Sequence, residues 1–416
     1  MNLSSRVQSL RASSTVAVAA TAKALKASGK DVLSFAAGEP DFDTPQTIKD
    51  AAVAALAAGR TGYAPPPGDP DTRAAICRKL TSENRIEGLT PDHVVISSGG
   101  KQSLYLLFQA LLDPPAPGAP AAEVVIPTPA WVSYRPQAEL AGGTVVEVAA
   151  GPEQHFKITP DQLRAALTER SRVYVFNSPS NPCGVMYTPD EIGALAGVLD
   201  EATRTLCPDL VIITDEIYEK LIYGEAAHLS MGSIPSIAER TVTVNGFSKA
   251  YAMTGWRLGY LACPGEFGLS LAKACTKLQG QVNTAVTTFT LPAAVVALEE
   301  CADDVERMRR AFAARGALIY RRLCAMPGIV CPEPTGAFYV FPDVSAFLGK
   351  TTAKGTVLDG VVGFAQALLE EQLVACVPGD DFGGCGDRCV RFSFACSEEQ
   401  IDAGMDRLAE FLGGLR

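Results

Sequence analysis

Between residues 93 and 262, short apolar runs alternate with longer helical stretches, and this alternation constrains the fold more than any other feature of the chain. Residues 94–97, 123–126, 144–148, 173–177, 210–214, 241–245 and 258–262 read as strands: they are rich in β-branched residues and bounded by turn residues. Strands separated by helices predict an α/β fold, a seven-stranded and mostly parallel sheet with helices on both faces. Upstream, residues 14–28 read as a helix stopped by Gly29, residues 31–36 as a short strand, and a further helix runs to Ala58. Residues 301–326 predict one long charged helix leading to a C-terminal unit with strands at 337–340, 374–377 and 390–394, closed by a helix from Ser397. The Pro/Ala/Gly stretch 114–122 reads as a surface loop.

A chain of 416 residues with 47% hydrophobic content is large enough for about two domains and a sizeable core. Its net charge of −10 argues against nucleic acid or an anionic membrane as a partner, because phosphate backbones select basic surfaces. No uninterrupted apolar run reaches the length of about 18 residues that a membrane span needs, and the N-terminus lacks the pattern of a signal peptide. The 12 cysteines form no Cys-x-x-Cys, and Cys385 and Cys389 have no histidine beside them. With three histidines in all, a histidine-based metal centre is not expected, and the chain reads as a cytoplasmic protein with free thiols.

Polar residues gather where these strands end. Lys249 follows the apolar run 241–244 within Asn245-Gly-Phe-Ser-Lys-Ala-Tyr-Ala-Met-Thr-Gly-Trp-Arg257. A lysine in a partly desolvated pocket beside another cation loses its proton more easily and can attack a carbonyl, as a Schiff base with an aldehyde cofactor requires. Asp215 and Tyr218 close the run 210–214, and the strand at 173–177 runs into Ser-Pro-Ser-Asn181-Pro182-Cys-Gly184. Open α/β sheets bind ligands at this carboxyl edge. Ser98-Gly99-Gly100-Lys101 follows a strand and opens a helix; it reads either as a plain glycine turn or as a phosphate cradle of free amides. Arg257 reads as a bidentate phosphate partner or as half of a structural salt bridge.

In these residues, in their order and across nearly the whole chain, the sequence resembles the class I aminotransferases of fold type I, and within them the bacterial-type aspartate aminotransferases. The resemblance implies pyridoxal 5′-phosphate as cofactor, bound covalently by Lys249. Asp215 would keep the pyridine nitrogen protonated, Tyr218 and Asn181 would hydrogen-bond the ring's phenolic oxygen, and Trp131 would stack on the ring. Gly99, Gly100, Lys101, Ser248 and Arg257 would hold the phosphate. Tyr63 would reach the phosphate of a neighbouring subunit, so the expected active unit is a homodimer with shared sites. Arg391 would clamp the substrate α-carboxylate, Gly38 would bring a backbone amide to it, and Arg388 is expected on the surface. Thr15 and Lys101 would hold a distal carboxylate, although as residues they read equally as a helix residue and a solvated lysine. The implied domains are a large cofactor-binding domain at 45–300 and a small domain at 301–416, packed with an N-terminal segment at 1–44.

The expected reaction is ping-pong transamination of L-aspartate with 2-oxoglutarate, with prephenate or aromatic amino acids as alternative substrates and β-elimination or decarboxylation as a rival outcome. The family match begins near residue 7, which leaves no room for the DNA-binding domain of an aminotransferase-like regulator. No Gly-x-Gly-x-x-Gly follows the first strand, against a nicotinamide oxidoreductase. Two departures stand out: Cys183 replaces the threonine or serine common after Asn-Pro, and Gly246 stands where other members have a hydroxyl that contacts phosphate.

Overall fold

The computed structural model describes residues 2–8, 10 and 14–416, with only the helical backbone of residues 14–17 and 19. The seven expected strands are present as β2 (Val94–Ser97), β3 (Glu123–Thr128), β4 (Thr144–Ala149), β5 (Ser171–Asn177), β6 (Val211–Asp215), β7 (Thr241–Gly246) and β8 (Gly259–Ala262). They form one sheet in the order β2-β8-β7-β6-β5-β3-β4, in which β8 alone is antiparallel to its neighbours. Every residue of β6 and β7 is buried, which explains why these strands read as continuous apolar runs and not as an alternation: helices cover both faces.

The covering helices are defined locally. Pro189–Thr205 starts at a capping box in which the Thr188 and Glu191 side chains each bond the other's backbone N–H, with proline in the first turn. Gly100–Leu111 turns Leu104, Leu107, Phe108 and Leu111 toward the sheet at helical spacing, where they join one core with β2, β3, β5 and β7. Residues 114–122 form a loop without regular structure, as expected.

Beyond the sheet, β1 (Leu33–Ser34) pairs in parallel with β10 (Val374–Ala375), while β12 (Val390–Ser393) lies between β11 (Val377–Pro378) and β9 (Tyr339–Val340). The strand expected at 374–377 is therefore two short strands in different sheets. The chain changes partner at the fully buried Cys376, and hydrophobicity cannot reveal this, because every residue of the run is buried on either side of the switch. The long helix Ala302–Cys324 buries Val305, Met308, Phe312, Ile319 and Leu323 along one stripe and packs on the helix Glu398–Gly413. Its core also takes in Tyr218, Leu221 and Tyr223 from the segment after β6, so the C-terminal core adjoins the carboxyl edge of the sheet. No helix among the described residues is long and apolar enough to cross a membrane.

Candidate active site

Parallel pairing aligns the ends of neighbouring strands. The register sets Asn177 of β5 beside Asp215 of β6, and Asp215 beside Val244 of β7. Above these ends lies a cavity of about 1070 Å³, lined among others by Gly38, Trp131, Asn181, Lys249, Tyr339 and Arg391. Gly100, Lys101, Asp215, Tyr218, Ser248 and Arg257 line it as well, so one cavity gathers nearly all the side chains singled out in the sequence.

Lys249 is half-buried, its amine donating to the Gly38 carbonyl and lying 5.8 Å from the centre of the Tyr218 ring and 5.6 Å from that of Phe338. Burial lowers its pKa to about 8, and the nearby Arg391 cation pushes the same way. A useful fraction of this amine is therefore unprotonated near neutral pH. Asp215, only 6% exposed, accepts from the Tyr134 hydroxyl at 2.7 Å and from the Ile217 amide at 3.2 Å. Burial raises its carboxyl to about 6 against the opposing pull of those hydrogen bonds and of Lys249.

The glycine turn has the geometry that a cradle needs. Gly99 has φ 84°, a left-handed conformation that suits glycine, and a Cβ there would strike the Arg257 guanidinium. Gly100 opens a helix of 12 residues, and the first amides of a helix have no partner within it. Arg257 holds its guanidinium beside this turn by donating to the Thr254 carbonyl at 2.8 Å and the Ser98 carbonyl at 3.5 Å. Lys101 is exposed, with its amine 4.9 Å from the centre of the half-buried Trp131 ring.

Arg391, on β12 and 2% exposed, is held on three sides. It donates to Asn181 Oδ1 at 2.8 Å and to the Ala36 carbonyl at 3.1 Å, and its guanidinium carbon lies 4.6 Å from the Tyr339 ring centre and 5.3 Å from that of Phe382. Its buried Nε–H has no partner. An unpaired buried donor is costly, and the cation itself lines the cavity, where a carboxylate can pair with it. Arg388, by contrast, pairs with Glu153 at 3.0 Å and Asp343 at 3.3 Å, outside the cavity lining.

Two of the expected residues are not brought here. Tyr63 is 92% exposed and absent from the cavity lining, and the side chain of Thr15 lies outside the described residues. Three others were missed. Tyr134, Asn177 and Tyr339 all line the cavity, Asn177 linking the Asp215 carbonyl to the Asn181 amide. Tyr134 follows Trp131 at a one-turn spacing and Asn177 ends a strand, which were the available signals; Tyr339 looks like any core aromatic.

The donors suit an anionic, aldehyde-bearing cofactor: an amine with a lowered pKa, a buried carboxylate, and a glycine cradle with an arginine at a helix N-terminus. The profile of the aminotransferases class I and II matches residues 30–408. The chain belongs to the class I and II aminotransferases. It is 42% identical to the aspartate aminotransferase of Bacillus subtilis over 413 residues, 99% of each chain, and also 42% identical to the aspartate/prephenate aminotransferase of Cereibacter sphaeroides, again over 99% of each. The structure of the Thermus thermophilus aspartate aminotransferase with maleate superposes with a TM-score of 0.89 at 40% identity, covering 99% of this chain and all of that one. This aminotransferase is thus a fold type I enzyme, and pyridoxal 5′-phosphate is its cofactor. The glycine cradle, the lysine and the aspartate that the sequence singled out are the groups that fit it.

Proposed function

We propose that this aminotransferase moves the amino group of L-aspartate to 2-oxoglutarate, giving oxaloacetate and L-glutamate in a ping-pong sequence. The observation that carries the reading is the Lys249 amine, held near pKa 8 in one cavity with Arg391, Asp215 and the Arg257 cradle. Relatives named aspartate aminotransferase at about the same identity over their full length support the choice of donor.

When bound, pyridoxal 5′-phosphate supplies an aldehyde that condenses with amines and a ring that takes up the electron pair left as the Cα–H bond breaks. Gly99, the Gly100 and Lys101 amides, Ser248 and Arg257 hold its phosphate. Asp215, oriented by Tyr134, holds a proton on the ring nitrogen. Tyr218 and the Asn181 amide nitrogen donate to the phenolic oxygen, Asn181 Oδ1 being already engaged by Arg391. The Trp131 ring packs on the cofactor face. Arg391 and the Gly38 amide fix the α-carboxylate, while Lys101 with Thr15 fixes the distal one. Lys249 then takes the proton from the substrate Cα as general base. In this reading residues 45–300 form the cofactor domain, residues 301–416 with 1–44 form the small domain, and Tyr63 completes the site of a second subunit in a homodimer.

Borohydride treatment followed by peptide mass analysis is expected to leave the cofactor fixed on Lys249. L-Aspartate alone is expected to release about one oxaloacetate per site, and double-reciprocal plots against both substrates to be parallel. Intersecting plots, which require a ternary complex, would overturn the scheme. Because a relative at equal identity is named for prephenate too, prephenate is the second acceptor to assay.

A further inference from the structure

The hydroxyl of Tyr339 lies where the two halves of the site meet. Tyr339 is 1% exposed on β9, paired with Ser393 of β12. Its backbone is pinned from the other side by Gly184, which at φ 70° comes so close that a Cβ there would strike the Tyr339 carbonyl oxygen. The side chain is fixed by an edge-on contact with Tyr218, the ring centres 5.8 Å apart at 84°. Its hydroxyl is 2.9 Å from that of Tyr218, and it occupies space left by Gly38, where an added Cβ would sit 3.2 Å from it. The face of the same ring carries Arg391 at 4.6 Å.

We infer that Tyr339 is a positioning residue: its hydroxyl strengthens Tyr218 as a donor to the cofactor's phenolic oxygen, and its ring holds the plane of Arg391. The inference rests on the functional reading above and deepens it. A phenol has one proton to donate. Once Tyr218 donates into the cavity, the Tyr218–Tyr339 contact survives only if Tyr339 donates to Tyr218. The two hydroxyls then form a chain, and a donor whose own oxygen accepts a hydrogen bond donates more strongly, by on the order of 10–30% per bond. Stronger donation favours the ionised phenolic oxygen and lowers the pH at which the bound cofactor loses its proton. Through its ring, the same residue keeps the Arg391 guanidinium in the plane in which it reaches Asn181 and the Ala36 carbonyl.

The test compares Tyr339→Phe, which removes only the hydroxyl, with Tyr339→Leu, which removes the ring as well. In Tyr339→Phe the pH midpoint of the bound cofactor's absorbance change is expected to rise by about half a unit, the scale of one altered neutral hydrogen bond. Its KM for aspartate should stay within about twofold, whereas Tyr339→Leu should raise that KM roughly tenfold through the loosened arginine. In a Tyr218→Phe background, adding Tyr339→Phe is expected to move the midpoint no further, because the chain is already broken. An unchanged midpoint in Tyr339→Phe, or a shift that persists in full without the Tyr218 hydroxyl, would overturn the proposal. Borohydride fixation of the wild-type protein separates the two levels: failure to label Lys249 sinks the functional reading and this inference together. Labelling with an unmoved Tyr339→Phe midpoint sinks this inference alone.

Discussion

Asp215 shows how one side chain trades stability for chemistry. Burial holds its carboxyl at about 6 in place of 3.8, so the folded chain binds this proton more tightly than the unfolded chain. Stability must then fall as pH rises from 3.8 to about 6 and stay lower above that, by about 3 kcal/mol at about 1.4 kcal/mol per pKa unit. Asp215→Asn keeps an acceptor for Tyr134 but carries no charge. In the cofactor-free protein it is expected to raise Tm by several degrees, about 3–5 °C, at pH 7.5 and to leave it unchanged at pH 4. The same substitution should cost most of the transamination rate. An equal gain at both pH values would show that charge burial is not the cause. Arg391 offers a complementary case, where geometry and not charge is at stake. Lysine keeps the cation but lacks the planar fork that reaches Asn181 and the Ala36 carbonyl together. Arg391→Lys is expected to lower kcat/KM for aspartate about 100-fold, mostly through KM, as initial-rate assays would read.

At the scale of elements, the β7–β8 pair explains a residue that looked like a loss. Gly246 stands where a phosphate-binding hydroxyl was expected, yet it pairs with Gly259, and a Cβ on it would lie 2.8 Å from the Leu258 carbonyl oxygen and 3.0 Å from the Gly259 Cα. Gly246→Ser is therefore expected to push the strands apart and destabilise the protein by about 1–3 kcal/mol without tightening the cofactor. Denaturant midpoints and cofactor titration would check both halves, and a tighter cofactor would contradict the packing argument. The same elements show what was legible in the sequence. All seven strands of the large sheet could be read, the inner ones because burial on both faces turns them into apolar runs bounded by turn residues and the exposed edge strand β4 because its residues are mostly β-branched, and residues at their carboxyl ends, such as Asp215 and Lys249, fell into the cavity with them. The short strands could not be read as well. Val374–Ala375 and Val377–Pro378 merge in the sequence because a change of partner leaves no trace in hydrophobicity. Tyr134 and Tyr339 were missed for a related reason: their rings are buried like core aromatics, and only the fold shows that their hydroxyls meet Asp215 and Tyr218.

On the scale of the whole molecule, Tyr63 is the residue that a single chain leaves unexplained. Tyr63 is 92% exposed, and Val53 and Leu56 on the preceding helix Gln46–Ala57 are exposed as well. In the proposed homodimer it would serve the partner's site, and two-fold symmetry makes that arrangement testable without a structure of the assembly. Consider two defective chains, Tyr63→Ala and Lys249→Ala, refolded together. If each site takes its lysine from one chain and its tyrosine from the other, a hybrid dimer concentrates both defects in one site and leaves the other intact. Random pairing makes half of the dimers hybrids, so the mixture should regain up to about a quarter of wild-type activity per chain, above the mean of the separate variants. If instead each chain supplies its own tyrosine, every site in the mixture carries one defect, and no activity beyond that mean can appear however the chains assemble.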